Sequence, residues 1–407
     1  MKMFKIQTLN TIAKVGLEQF PKEIYQVSAN EAHPDAILVR SQDMHAMTIP
    51  SSVRVVGRAG AGVNNIPVVH LTQRGIPVFN TPGANANAVR ELVIAGMLLA
   101  SRNICHAWNY VEGLKVADAE MNIQIEKDKK QFVGFEIMGK TLGIIGLGSI
   151  GVKVANAAIS LGMQVIGYDP TITVSRAWEL SADVKQAHNI DDVLMASDFV
   201  TFHVPLNAET KDMIDAPRFQ LMKKGIVLLN FAREGIINND ALVQAINEKI
   251  VLSYVTDFPS PKIKNLPEVI CLPHLGASTQ EAEENCAVMI VRQVIDFFEN
   301  GTITHSVNFP AIEMPRTKAA TRIAIANLNV PNMVAQISAK LAQAGLNIVS
   351  LLNKSRDEIA YTLIDVNADI NDHLLQNLMS IEGVVQVRKV FSPSHVLKRV
   401  TDGLMKF

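Results

Sequence analysis

Between residues 35 and 80 one phrase recurs, a short apolar run ending abruptly in polar or glycine residues: 36–39 before Arg40-Ser41, 53–56 before Gly57-Arg58, and 76–79 before Asn80-Thr81. Such runs suit strands buried on both faces of a parallel sheet, with function at their carboxyl ends. A helix is expected over 86–102, where Val89, Leu92, Val93, Gly96 and Met97 keep helical spacing. The charged stretch 112–136, with Lys127-Asp128-Lys129-Lys130 inside it, reads as a solvated face. A second alternation follows, with strands expected at 141–145, 164–168, 199–203, 226–230, 253–256 and 269–272 and helices between most of them, the rhythm of a doubly wound sheet.

After a helix at 280–300, Pro310 and Pro315 flank a polar connector and the rhythm changes. A strand at 322–326, helix at 333–344, strands at 348–354 and 359–366, helix at 372–380 and strand at 384–391 spell the split βαββαβ pattern of a small ferredoxin-like domain. At 407 residues the chain is too long for one ordinary core, so three domains are expected.

Composition narrows the partners. A formal net charge of -1 leaves no basic field for a nucleic acid. Residues 1–20 have no apolar signal core, and the apolar stretch 92–100 is too short to span a bilayer, so no membrane is expected. Cys105, Cys271 and Cys286 are odd in number and lie in apolar contexts, which fits free thiols in a reducing compartment; a cytoplasmic protein is expected.

The chemistry begins at Gly146-Leu147-Gly148-Ser149-Ile150-Gly151, which follows the apolar run 141–145 and opens a run of helix formers. Gly146 permits the tight turn, Gly148 lets a pyrophosphate approach the backbone, and Gly151 lets helix and strand pack closely. Free amides at the helix start then face the phosphates. Asp169 closes the next apolar strand, where a carboxylate accepts hydrogen bonds from ribose hydroxyls and repels a ribose phosphate; NAD is expected over NADP.

Oxidising a hydroxy acid by hydride transfer needs a base for the hydroxyl proton and a cation for the carboxylate. Arg233 follows the apolar strand 226–230, and its planar fork suits a carboxylate. His274 ends the strand 269–272 plus Pro273, and titrates in the range needed to take a proton at neutral pH. No metal ligand set is expected.

The glycine loop with Asp169, the segment Phe202-His203-Val204-Pro205-Leu206, the Asn230-Phe231-Ala232-Arg233-Glu234-Gly235 turn, Asp257-Phe258-Pro259 and Pro273-His274-Leu275-Gly276-Ala277-Ser278-Thr279 together resemble the D-2-hydroxyacid dehydrogenases. The resemblance implies Arg233 and His274 as catalytic residues. It adds Ser149, Ile150, His203, Val204, Pro205, Ala232, Arg233, Asp257 and His274 to Gly146, Gly148, Gly151 and Asp169 around the cofactor. It implies a discontinuous flavodoxin-like substrate domain (1–95 and 278–310), a Rossmann NAD domain (96–277) and a site in the cleft between them. The segments Gly57-Arg58-Ala59-Gly60-Ala61-Gly62-Val63-Asn64-Asn65 and Phe79-Asn80-Thr81-Pro82-Gly83 are similar to those of family members acting on a phosphorylated hydroxy acid, so Arg40, Ser41, Arg58 and Asn80 are expected to face that substrate. Other readings are a hydroxypyruvate reductase or another 2-hydroxyacid dehydrogenase, and a catalytically silent NAD-responsive binding protein.

One departure stands out. The family pairs its histidine with a glutamate twenty-nine residues after the motif arginine and five after the motif aspartate, and both counts land here on Lys262. A lysine cannot orient an imidazole as a carboxylate does. Either another acid, such as Glu268 or Asp257, takes the role, or His274 works alone.

Residues 318–407 resemble an ACT domain, an amino-acid-sensing module. Asn329 and Asn347 match positions that hold L-serine in feedback-inhibited relatives, although Asn327 stands where a histidine is frequent and Asn332 replaces the usual glycine. A purely dimerising module with turn asparagines is the alternative. The likeness also implies a homo-oligomer, a dimer or tetramer.

Overall fold

The computed structural model describes residues 3–317 and 321–390; Phe391, the expected end of the last strand, lies outside the described residues. Those before Asn85 and after Ala282 form one compact unit, and Asn85–Ala282 forms the other.

The first unit opens with five parallel strands, β1 (Phe4–Leu9), β2 (Tyr25–Ser28), β3 (Ala36–Val39), β4 (Val55–Arg58) and β5 (Val78–Phe79), ordered β2-β1-β3-β4-β5. This is the flavodoxin-like order. The first two strands carry no unbroken apolar run: Lys5, Gln7 and Thr8 interrupt β1, and β2 is an edge strand with one fully buried residue, Tyr25. β3, by contrast, is buried at every position. The helix Gln280–Asn300 supplies Ala287, Ile290, Val291, Val294 and Phe297 to a core shared with Ile6, Leu38 and Phe79.

The second unit holds seven parallel strands, β6 (Thr141–Ile145), β7 (Gln164–Tyr168), β8 (Lys185–Gln186), β9 (Phe199–Phe202), β10 (Ile226–Asn230), β11 (Val251–Thr256) and β12 (Val269–Cys271). Their order, β12-β11-β10-β9-β6-β7-β8, reverses direction between β6 and β9. Ligands of open α/β sheets bind at such a switch point, beyond the carboxyl ends of the strands. The helix Ala86–Ser101 buries Val89, Val93, Met97 and Ala100 in one cluster with Leu229 and Val255. That apolar face ties it to this sheet and puts the boundary at residue 85 instead of 96. The charged stretch contains a helix, Asp118–Asp128, with no apolar face of note.

The C-terminal sheet belongs to the first unit. β13 (Thr321–Leu328), β14 (Ile348–Arg356), β15 (Ile359–Val366) and β16 (Val384–Val390) pair antiparallel in the order β14-β15-β13-β16, the ferredoxin-like arrangement. One face packs Ile323, Ile325 and Ile364 under its own helices, Met333–Gln343 and Asp372–Met379. The opposite face brings Ala324, Ala326, Tyr361 and Leu363 into the core that contains Phe297 and Phe309. Two buried arginines pin it there. Arg322, wholly inaccessible, binds Asp365 through Nε (2.7 Å) and Nη2 (2.9 Å) and also donates to the carbonyls of Asn300, Met314 and Pro315. Arg388 stacks 3.8 Å above the Phe297 ring and donates to Phe297 O and Tyr361 Oη. Every polar atom so placed removes a burial cost of roughly 1–3 kcal/mol. This module is therefore fixed to the long helix and is not a loosely tethered appendage. Among the described residues no helix is long and apolar enough to cross a membrane.

Candidate active site

The glycine loop runs from the end of β6 into the helix Ser149–Ser160. Gly146 has φ +97°, and a Cβ there would sit 2.6 Å from His203 O, so both backbone conformation and space demand glycine. A Cβ on Gly151 would lie 2.0 Å from Gly146 O, so the first helical turn is seated directly on the strand end. Gly148, the cap residue, has an extended backbone, no side-chain cap, and, its chain neighbours aside, open space among the described residues where its Cβ would be. The helix start is thus left with unsatisfied amides facing an open cradle, which is what a pyrophosphate requires. Ser149 begins the helix, and Ile150 packs its side chain on the core beneath.

Asp169 lies just past β7 and braces this loop: Oδ2 accepts from Leu147 N at 2.9 Å, and Oδ1 accepts from Thr171 N at 2.8 Å. The Thr171 hydroxyl also donates to Oδ1 at 3.1 Å, and since a carboxylate has about four acceptor positions, one remains for a ribose hydroxyl. Across the switch point, Val204 touches the Gly146 position, Pro205 is exposed, and His203 places Nε2 3.1 Å from Thr201 Oγ1. Nδ1 of His203 is buried without a partner, and burial pushes the imidazole down to about 3, so it is neutral at physiological pH. An orphaned, neutral imidazole nitrogen beside the glycine loop fits a dinucleotide phosphate or ribose hydroxyl.

The catalytic candidates come from the three neighbouring strands on one side of that point. In register, Asn230 of β10 pairs with Thr256 of β11, and Thr256 with Cys271 of β12. Arg233, Asp257 and His274 follow those positions by three, one and three residues, so all three emerge from the same sheet edge on strands roughly 4.8 Å apart. Asn230 shapes the Arg233 turn: its Oδ1 accepts from Ala232 N (3.1 Å) and its Nδ2 donates to Arg233 O (3.0 Å) and to Tyr254 Oη (3.2 Å). Ala232 is buried, and the Arg233 side chain is exposed and donates to Ala232 O. His274 adopts φ +49°, an uncommon conformation for a residue with a side chain, held by bonds from its amide to Asp257 O (3.0 Å) and Leu272 O (3.2 Å). Its ring centroid is 4.9 Å from that of Phe258.

Asp257 is the acid that emerges from the same sheet edge as this histidine, and its carbonyl accepts from the His274 amide. It is 1% exposed, and its Oδ2 accepts from Gly276 N at 2.9 Å while Oδ1 is buried and unpaired. Burial pushes this carboxyl up, and the Gly276 amide and the charges of His274 and Arg233 pull against it. Lys262 and Glu268 do not join the group. The Lys262 ammonium is exposed and bound to Asp240, with Ile263 turned into the core. Glu268 precedes β12, at the sheet edge opposite His274, where it takes Lys249 at 3.4 Å. Of the two acids considered from sequence, the strand order keeps Asp257 and removes Glu268.

In the first unit Arg40, Arg58 and Asn80 stand at the carboxyl ends of the adjacent strands β3, β4 and β5. Arg58 Nε donates to Arg40 O (3.1 Å), and Asn80 Nδ2 donates to Ala61 O (2.7 Å). The Arg40 guanidinium is paired with Glu283 at 2.5 Å, a partner no sequence motif announced. Ser41 is exposed beside them. In the C-terminal sheet, Asn329 follows β13 at the end paired with Ile359, whereas Asn347 precedes β14 at the end paired with Val366. Eight-residue strands separate these ends by roughly 25 Å, so one chain does not bring Asn329 and Asn347 to a common ligand. Sequence reasoning also left Asn230, Tyr254 and Thr201 without roles. An Asn closing an apolar strand immediately before a turn was the one usable signal.

Comparison with known proteins adds to this geometry. Residues 94–276 match the family described as D-isomer specific 2-hydroxyacid dehydrogenase, NAD binding domain. The chain is 30% identical over 403 residues to D-3-phosphoglycerate dehydrogenase of Haemophilus influenzae, spanning 95% of this chain and 94% of that one. It is 36% identical over 290 residues to the enzyme of the same name from Archaeoglobus fulgidus, covering 69% of this chain and only 52%, about half, of that longer protein. Among solved structures, the NAD+-bound 3-phosphoglycerate dehydrogenase of Entamoeba histolytica superimposes with a TM-score of 0.59 at 27% identity, covering 75% of this chain and 99% of that one.

Proposed function

The chain belongs to the D-isomer specific 2-hydroxyacid dehydrogenases, and from that premise we propose that it oxidises 3-phospho-D-glycerate at its second carbon to 3-phosphohydroxypyruvate, the entry to serine synthesis, with NAD as cofactor. The observation that carries this reading is the common sheet edge shared by Arg233, Asp257 and His274 in a domain whose switch point holds the glycine loop.

Bound NAD supplies the hydride acceptor. The amides from Gly148 into the helix Ser149–Ser160 hold its pyrophosphate, and Asp169 takes the adenosine ribose while repelling a phosphate on it. Arg233 orients the substrate carboxylate by its two parallel N–H donors. His274 accepts the proton of the C2 hydroxyl, and Asp257 stabilises the imidazolium that forms, the service the family's glutamate would have provided from position 262. This leaves Lys262 no support for a catalytically silent protein. At the strand ends of the first unit, Arg40, Arg58, Ser41 and Asn80 supply donors for the phosphate of the substrate.

NADH formation on addition of 3-phosphoglycerate, lost in His274→Ala, tests the assignment; absence of turnover in the wild type refutes it. A second reading, reduction of hydroxypyruvate or oxidation of another, unphosphorylated 2-hydroxy acid, is favoured by Glu283, which already pairs with Arg40. A substrate panel separates the two: a higher kcat/KM for the unphosphorylated acids selects the second. L-serine is the proposed effector. Because Asn329 and Asn347 lie at opposite ends of one sheet, a ligand touching both requires two copies of the chain, in keeping with a cytoplasmic homo-oligomer, a dimer or tetramer. Calorimetry with L-serine checks this, with absence of heat and of inhibition refuting it.

A further inference from the structure

A cavity of about 530 Å³ opens where the C-terminal sheet meets the first parallel sheet, within one unit. Three segments wall it: Asn80 and Pro82 just after β5, the connector around His305 and Phe309, and the end of β14 with Lys354 and Arg356. It is shallow and open to solvent, so a ligand here would be held at the surface.

The lining contains two permanent cations and no carboxylate. Lys354 and Arg356 alternate along β14, so both side chains leave the same face of the strand. The Lys354 ammonium has no hydrogen bond or acid partner among the described residues. Arg356 gives Nη1 to Ser306 O at 3.0 Å, and its nearest acid, Asp357 at 3.7 Å, is an exposed carboxylate outside the lining. Two like charges held over one acid-free cavity repel each other, and a small anion relieves that repulsion. The lining also includes Asn80 and Ser306, whose side chains donate to Ala61 O and Val78 O, and the apolar residues Phe309 and Pro310.

We propose that this cavity is a binding site for a small oxyanion of charge two or more, held between Lys354 and Arg356 of the C-terminal sheet and the His305 segment. The site is separate from the Asn329 and Asn347 positions and from the glycine loop.

Its placement gives it a consequence. The connector is stitched to β5 by Asn80 N to His305 O (3.1 Å) and Val307 N to Val78 O (3.0 Å), while Arg356 grips the same connector from the other sheet. The turn of β14 into β15 in addition holds Asn329, which donates to Asp357 O at 3.1 Å. An anion here clamps the hairpin to the segment that sets Asn80. If Asn80 faces the substrate, as proposed above, occupancy changes KM for the hydroxy acid with little change in kcat.

The test is titration calorimetry of the full-length protein with inorganic phosphate and, in parallel, citrate, at ionic strength fixed with sodium chloride. Wild type and Arg58→Gln are expected to bind phosphate or citrate, and Lys354→Gln and the double variant Lys354→Gln/Arg356→Gln to bind at least tenfold more weakly. Lys354 makes no fold contact through its ammonium, so Lys354→Gln keeps the test valid even if the double variant is unstable. No heat from wild type with either anion overturns the proposal, and so does heat that survives in Lys354→Gln but vanishes in Arg58→Gln, which assigns the anion to the strand ends. These readouts need no turnover, so failure of the substrate assignment leaves them intact. A phosphate-dependent KM in wild type that is absent in Lys354→Gln supports the coupling; an equal effect in both refutes it.

Discussion

Replacing Asp257 by Asn deletes one charge and almost no volume, and the consequences for folding and for catalysis point in opposite directions. The Asn oxygen can still accept from Gly276 N, now 2.9 Å from Oδ2, so the turn carrying His274 stays formed. Burial is the largest influence on this carboxyl and disfavours its charge, so stability is expected to hold within about 1 kcal/mol or to rise. Catalysis loses the anion beside the imidazolium. A pair of unit charges about 4 Å apart in an effective dielectric of about 20 is worth about 4 kcal/mol, a ceiling; half of that is a realistic share for a site open to solvent. The expected fall in kcat is therefore about 30-fold to about 1,000-fold, at one decade per 1.36 kcal/mol. Initial rates across pH, NAD titration by fluorescence and urea melts measure the three quantities. A kcat within threefold of wild type refutes the pairing and leaves His274 acting alone; a loss confined to NAD affinity makes Asp257 a cofactor residue instead.

Lys262→Glu should leave kcat within twofold, since position 262 projects to solvent beside Asp240, and a tenfold gain would show that the loop delivers this position to His274 after all. Gly151→Ala forces a methyl group to 2.0 Å from Gly146 O and should abolish NAD binding in a fluorescence titration while the C-terminal sheet stays folded by hydrogen exchange. Arg322→Met strands a buried Asp365 and should cost roughly 3–5 kcal/mol, read as a fall in the urea midpoint; an unchanged midpoint contradicts the anchoring of that sheet. His203 is held neutral in the fold, at about 3 against an ordinary 6.5. Its depressed value contributes stability that is present above about pH 6.5 and lost as pH falls toward 3, at up to about 1.4 kcal/mol per pH unit. His203→Asn should flatten that acid limb in denaturant titrations, and an unaltered slope would place the titration elsewhere.

What the sequence determined by itself was whatever local backbone and burial impose. Runs such as Ile226–Asn230 are buried at every position, so they read as unbroken apolar phrases. The loop at Gly146 is legible because a positive φ and a 2.0 Å approach tolerate no side chain at Gly146 and Gly151. Arg233 and His274 are legible because each closes such a phrase. β1 escaped notice because Lys5 and Gln7 break its run, and β8 because it is two exposed edge residues, Lys185 and Gln186. The partner of His274 was out of reach for a different reason. Glu268, Lys262 and Asp257 lie progressively farther from it along the chain, yet strand direction puts the most distant, Asp257, at its own sheet edge and the nearest, Glu268, at the opposite one. The same holds for Glu283 on Arg40, for the two arginines that fasten the C-terminal sheet, and for the cationic cavity at Lys354 and Arg356. Charge pairing acts over a few ångströms through space, and distance through space is set by how strands and helices pack, not by their spacing along the chain.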